Sequence, residues 1–343
     1  TYMSIEELKR EIAVLSRFKI NVFHWHLTEN QSWRLQSKIF PMLNDSVNTT
    51  RMPGKYYTLE EAKDLVAFCK AHNILLIPEF DMPAHALAIT RAFPNLMTKE
   101  AGGNHKYLIE ELDIRKDGAL DAAKSVWAQY FKGDDPVFDK DTTVHIGTDE
   151  FHGNGGNEYF RSFSDSMIKY IQGTGRDVRM WGSLSNKNGK TPVASKDVQL
   201  NIWNTGYANP KNMYDLGYDL INTLEGSLYI VPSAGYYSDY LNSQNLYNNW
   251  VPNNFSGTVL RAGDKQVLGG TYAIWNDQID TRGNGITEYD DFDRFFQPLP
   301  SLSEKMWGEG TDRTYSEMRA VAEKVDTAPN TNPYYEADSV GND

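Results

Sequence analysis

A (β/α)8 barrel is the fold this sequence predicts, and three observations predict it. Helix-patterned and strand-patterned segments alternate along the 343 residues, a length at which barrels of about 200 to over 400 residues form one domain. Seven apolar strands each end in Trp, His, Asp, Glu or Tyr, the residue types expected where a barrel collects its chemistry at the strand carboxyl ends. No repeat or low-complexity block breaks the alternation, and "NGGN", "RGNG" and "NKNGK" are turn signals.

The elements follow in order. "SIEELKREIAVLSRFK" reads as a helix capped by Ser4, with Glu7 completing a capping box. "INVFHWHL" (20–27) follows as a strand, then a helix in 58–73, strand "ILLIPEF" (74–80), helical stretches within 85–132, strand "TTVHIGTDE" and a helix near 157–172. Strands "DVRMWGS" (177–183) and "VQLNIWN" (198–204) precede a short helix from Pro210, strand material within 219–230, and "GGTYAIWND" (269–277). A last helical region lies within 289–325. Because the chain opens on a helix, the first barrel strand is expected upstream of Thr1. Residues 1–325 then carry strands two to eight, and 326–343 form a polar tail or linker.

Composition narrows the partners. The formal net charge of −12 and a pI near 5.1 oppose nucleic acid and anionic membranes, which attract basic surfaces. Eight Trp and 20 Tyr exceed ordinary packing needs and suit flat, semi-polar ligands such as sugars. No apolar run approaches the roughly 20 residues of a membrane span. The single cysteine, Cys69, lies in a helical pattern, so no disulfide framework is expected.

Chemistry concentrates in "TTVHIGTDEF" (142–151), an apolar strand ending in Asp149 and Glu150. Adjacent side chains on a strand point to opposite faces, so both acids reach one site only if the strand stops and the chain turns. For a bare acid pair, a helix N-cap is the plainer explanation. Retaining glycosidases set two carboxyl groups about 5 to 5.5 Å apart across the scissile bond, which neighbours on one backbone do not do. The exception is a substrate whose 2-acetamido group attacks its own anomeric carbon. Glu150 would then be general acid and base, and Asp149 would hold the acetamide N–H. On this reading the adjacent anion and tryptophan walls raise the Glu150 pKa.

The motifs "NVFHWHLTENQSWRL" (21–35), "LIPEFDMPAHA" (76–86), "HIGTDEF" (145–151) and "AIWND" (273–277), in this order and spacing, resemble glycoside hydrolase family 20, the β-N-acetylhexosaminidase group. The resemblance runs from residue 1 to about 310. It implies substrate-assisted retaining hydrolysis with Asp149 orienting the acetamide and Glu150 as acid and base. It also implies that Trp181, Trp203 and Trp275 enclose the sugar, that Tyr229 donates to the acetamide oxygen, that His85 and Glu29 form a support pair, and that His145 sits behind Glu150. The implied partner is an oligosaccharide or glycoconjugate bearing a 2-acetamido sugar, with no cofactor and no metal. An extracellular, periplasmic or cell-surface location is expected from the resemblance alone.

The sequence departs from the family pattern at Ala84 (usually Gly), at Glu29 and Asn30 (commonly two Asp), at Val231 (usually an acid or amide) and at Asp277 (commonly Glu). The arginine expected at the end of the first strand is also absent. The "WND" form with a Tyr 46 residues before the Trp looks like the lacto-N-biosidase branch, which releases a Gal-GlcNAc disaccharide. Two other readings compete. His24, His26, His85, His145 and Asp149 could imitate a metal-dependent amidohydrolase, although no Lys or His at other strand ends completes a binuclear site. A barrel that binds glycans without cleaving them is the second.

Overall fold

The computed structural model describes residues 1–98, 110–153, 156–278, 286–308 and 312–325; the expected polar tail at 326–343 lies outside the described residues. Seven strands form one curled parallel sheet in which spatial order equals chain order. They are β1 (Val22–His26), β2 (Leu75–Met82), β3 (Val144–Gly147), β4 (Val178–Trp181), β5 (Val198–Ile202), β6 (Asp219–Asn222) and β7 (Val267–Gly270). Sequential order without a reversal is barrel-type winding, since a doubly wound sheet changes direction at a switch point. The sheet edges are β1 and β7. Six of the seven strands fall where the apolar patterning puts them, while β7 (Val267–Gly270) begins before the expected 269–277 and shares only Gly269 and Gly270 with it. Two regions read as single strands are divided: β6 is followed by a helical turn at Glu225–Leu228 and a short strand at Tyr229–Ile230, and β7 by a short strand at Ala273–Ile274.

Helices α1 (Ile5–Arg17), α2 (Leu59–Ala71), α3 (Ala119–Phe131), α4 (Asn157–Gly173), α5 (Pro210–Asp215), α6 (Ser243–Asn249), α7 (Glu288–Phe296) and α8 (Leu299–Trp307) accompany the sheet. At α2 a capping box forms between Thr58 and Glu61. At α1 it does not close as expected. Ser4 Oγ accepts from the Glu7 amide (3.2 Å), but the Glu7 carboxylate turns to Arg10 (2.6 Å). Glu288, from α7, instead accepts from the Ser4 amide and hydroxyl, both at 2.9 Å. A carboxylate from far along the chain thus takes the place of the local one. Arg10 also stacks on Phe292, its guanidinium carbon 3.8 Å from the ring centre, and Trp307 Nε1 donates to the Lys19 carbonyl (2.7 Å). The helices on either side of the β1 and β7 edges are therefore packed together.

Alternation along each strand divides core from site. Outward residues face the helices: Trp25 packs on Tyr57 (centroids 4.7 Å apart) and Phe80 against Trp33 and Trp127 (4.5 and 4.3 Å). Cys69 is wholly buried on α2, and burial pushes its thiol up to about 12. Inward residues are polar. The pairing register runs His26 to Glu79 to His145 to Arg179 to Gln199 across five strands, so the barrel interior carries a belt of hydrogen-bonding side chains.

Candidate active site

The floor of the site is built on Glu79, a fully buried carboxylate of β2. Trp181 Nε1 donates to its Oε1 (2.7 Å) and His26 Nδ1 to its Oε2 (2.7 Å), while His24 Nε2 lies 2.8 Å from Oε2. Burial favours the neutral form of Glu79, but the surrounding imidazoles outweigh it and hold this carboxyl well below its ordinary value. Burial also works against charge on His26, yet Glu79 and Glu29 push its pKa up to about 10, making it the cation of the cluster. His145 is pushed down to about 3 by burial and is neutral, its Nδ1 accepting from the Gly147 amide (3.1 Å). His24 is likewise lowered by burial.

The acid pair reaches one site because the strand does stop. Gly147, Thr148 and Glu150 have φ of +74°, +87° and +42°, a left-handed turn that a β-branched threonine adopts only under strain. Two hydrogen bonds hold Thr148 there: its amide donates to Asp81 Oδ1 (3.1 Å) and its hydroxyl to the Trp181 carbonyl (3.1 Å). Gly147 is required by contact, because a Cβ there would lie 1.9 Å from Asp81 Oδ1.

Above this turn His85 joins the acids. Its Nδ1 pairs with Glu29 Oε1 (3.0 Å), and its Nε2 stands 3.2 Å from Glu150 Oε2 and 3.6 Å from Asp149 Oδ2. Burial would lower the His85 pKa, but Glu29 and Asp149 outweigh burial and hold it well above its usual value. Asp149 is raised by burial, against the pull of His85, and is hydrogen-bonded to Asp81. Burial and the Asp149 charge raise Asp81 well above its ordinary value. Asp149 Oδ1 is buried and has no hydrogen-bond partner among the described residues.

Glu150 departs from expectation. Its pKa is lowered, not raised, because the His85 hydrogen bond outweighs burial. The side chain is 42% exposed, whereas Asp149 beside it is 17% exposed. The neighbouring imidazolium therefore counts for more than the tryptophan walls.

Trp181, Trp203 and Tyr229 form one buried cluster with Trp275 packed against it. Trp275 meets Tyr229 edge to face at 5.5 Å and Trp181 at 5.9 Å. Tyr229 is raised by burial and by Asp149, which keeps its phenol a donor. Thus Asp149, Glu150, His85, Glu29, Trp181, Trp203, Trp275 and Tyr229 gather around one strand end. His145 packs on the floor against His24 (4.5 Å) and Trp181 (5.0 Å), and the imidazole that contacts Glu150 is that of His85 (3.2 Å). Asp277 stands on the exposed rim, where Tyr236 donates to its Oδ2 (2.6 Å). Val231 is buried and offers a sugar no hydrogen-bonding group.

Glu79 and Asp81 were not among the residues singled out from the sequence. Their signal is present, since acids at i and i+2 in an otherwise apolar strand must share one face. Two groupings, His24 with Glu79 and His145, and Asp81 with His85 and Asp149, bring potential ligand atoms within 4.8 Å of one another. In the first, both Glu79 oxygens are already engaged, by Trp181 and by His26, which favours a structural reading of that group.

The catalytic-domain model of glycosyl hydrolase family 20 matches residues 1–309. A β-hexosaminidase of Emericella nidulans is 22% identical over 91% of this chain and 58% of its own length. A chitooligosaccharidolytic β-N-acetylglucosaminidase of Ostrinia furnacalis is 26% identical over 90% of this chain and 56% of its own. The chain thus spans little more than half the length of these curated relatives. Among solved structures, β-N-acetylhexosaminidase from Bacteroides fragilis superposes with a TM-score of 0.74 at 24% identity, covering 94% of this chain and 66% of that one. Dispersin B superposes with a TM-score of 0.66 at 18% identity, covering 90% and 96%. At these identities the superpositions establish the barrel fold.

Proposed function

The chain belongs to glycosyl hydrolase family 20, and from that premise we propose that it is a retaining β-N-acetylhexosaminidase that uses the 2-acetamido group of its substrate as nucleophile. One observation carries the reading: the turn at Gly147–Glu150 brings both acids to His85 and close enough to the Trp181, Trp203, Trp275 and Tyr229 cluster for Asp149 and Glu150 to join burial in raising the Tyr229 pKa. Asp149 Oδ1, buried and unpartnered among the described residues, is an acceptor for the acetamide N–H. The Tyr229 phenol donates to the acetamide oxygen until that oxygen attacks C1. Asp149 then stabilises the positive charge that develops on the oxazolinium ring.

Glu150 delivers a proton to the leaving oxygen and afterwards takes one from water. In the free protein that proton rests on His85, whose Nε2 faces Glu150, so the His85–Glu150 pair is the proton store. A bound sugar displaces water from Glu150, and the resulting burial raises its pKa toward that of a working acid. The curated relatives are named for β-hexosaminidase and β-N-acetylglucosaminidase activity, which supports a terminal β-linked N-acetylhexosamine as substrate. An exported location goes with this reading.

The test is substrate-specific. Glu150→Gln is expected to lower kcat by about 10²- to 10⁴-fold on substrates with poor leaving groups. Asp149→Asn is expected to lose about 10²- to 10³-fold, with wild type failing on the matching 2-hydroxyl glycoside. Equal hydrolysis of the 2-hydroxyl and 2-acetamido glycosides would overturn the proposal. The apolar Val231 favours a second reading, lacto-N-biosidase activity on a substituted GlcNAc. Parallel assays with p-nitrophenyl GlcNAc and p-nitrophenyl lacto-N-bioside separate the two.

A further inference from the structure

A cavity of about 460 Å³ lies beside the aromatic cluster of the candidate active site, bounded by the residues that follow β5, the turn Glu225–Leu228 and the end of α6. Its size falls in the ~300–1,000 Å³ range of small-molecule sites. Trp203 borders both chambers, lining this cavity and clustering with Trp181 and Tyr229 on the catalytic side. Trp250 also lines it, only 8% exposed, with a buried indole Nε1 that has no partner among the described residues.

The polar wall is Glu225. Asn204 Nδ2 donates to its Oε1 (2.6 Å) and the Tyr237 hydroxyl to its Oε2 (2.5 Å). Two of about four carboxylate acceptor positions are thereby used, and others remain for incoming hydroxyls. Tyr237 in turn packs edge to face on Tyr229 at 5.6 Å, so Glu225 is joined to the catalytic pocket through two aromatic rings. Ser227 and Asn254 supply further polar groups. The lining has no Lys or Arg. Indole surfaces with a fixed carboxylate and amides, and no cation, match a neutral polyhydroxylated ring and oppose an anionic one.

We propose that this cavity is a second carbohydrate site, taking a neutral hexopyranosyl unit of the glycan other than the N-acetylhexosamine being cleaved. It rests on the glycosidase reading for the link between the two chambers, and the experiment keeps the two ideas apart. A GlcNAc-derived thiazoline is first bound to the whole chain, filling the catalytic pocket. Methyl β-glucoside, methyl β-galactoside and methyl β-glucuronide are then titrated and followed by saturation-transfer NMR. The expected result is saturable one-to-one binding of a neutral hexoside, at least tenfold tighter than the glucuronide. Gly226→Leu should weaken that binding at least tenfold, because Gly226 lines the cavity and a Cβ there meets nothing within 4 Å. Trp250→Phe is the second variant, and thiazoline affinity is the folding control for both. No saturable hexoside binding, binding unchanged in Gly226→Leu, or equal binding of the glucuronide would overturn the second site. Failure of the thiazoline itself to bind would instead overturn the glycosidase reading, leaving the hexoside titration to decide the second site.

Discussion

The floor of the site and its rim are held by opposite means. On the floor, Glu79 is fully buried and meets Trp181, His26 and His24 at 2.7 to 2.8 Å. On the rim, Tyr236 and Tyr237 are 57% and 37% exposed and reach Asp277 and Glu225 by phenol hydrogen bonds. A charge in the interior must be fully paired, because little water is there to solvate it. At the rim water competes for every donor, and each bond contributes little. The floor is therefore suited to fixing geometry, and the rim to changing with the substrate.

Glu79→Gln tests the floor most severely. Removing one member of a buried ionic cluster costs about 3–5 kcal/mol, which chemical denaturation should register. The pH dependence sharpens this. Glu79 is depressed below its ordinary 4.5, so its contribution is present above that value and is lost as the pH falls. His26 is raised from 6.5 to about 10, so its contribution is full below 6.5 and fades as the pH climbs toward 10. His145, lowered to about 3, and His24, also lowered, stay neutral in the fold and so cost stability as the pH falls below 6.5; this cluster therefore stabilises the fold most near pH 6.5, and Glu79→Gln should flatten both flanks of the stability profile.

His85→Phe lies between floor and rim and should have a smaller effect. Losing its proton store, the enzyme is expected to drop about 10²-fold in kcat/KM at neutral pH. The alkaline limb of the profile should also move. In wild type it follows His85, raised above 6.5; in the variant it follows Glu150 alone and falls to lower pH. An unmoved limb would mean that His85 only positions the acid.

Tyr236→Phe should be the mildest change. Losing one exposed hydrogen bond to Asp277 should raise KM by about twofold to tenfold, leaving kcat and thermal stability almost untouched. A large loss of stability there would erase the distinction between floor and rim.

The same division governs what the sequence makes legible. Six of the seven strands are visible because each is a short run rich in apolar residues bounded by turn signals; β7, Val-Leu-Gly-Gly, carries little such signal and is displaced from the expected span. Glu79 and Asp81 are legible in principle by the same rule. The lowered Glu150 pKa is not, because it depends on His85, which lies 65 residues away in sequence and meets Glu150 only once β2 and β3 are paired. The contact between Ser4 and Glu288, 284 residues apart, is hidden for the same reason, and a local capping box is the natural but mistaken expectation. Nor does periodicity place Glu225, Tyr236 or Tyr237, which sit on connections outside the large sheet.

Cys69 has a practical consequence. The chain has one sulfhydryl, sealed inside α2 and protonated far beyond neutral pH, so maleimides and iodoacetamides, which attack thiolates, find no target while the fold is intact. A cysteine introduced at position 236 would accept a fluorophore alone. Rim motion during turnover then becomes measurable by fluorescence with the native residue left in place.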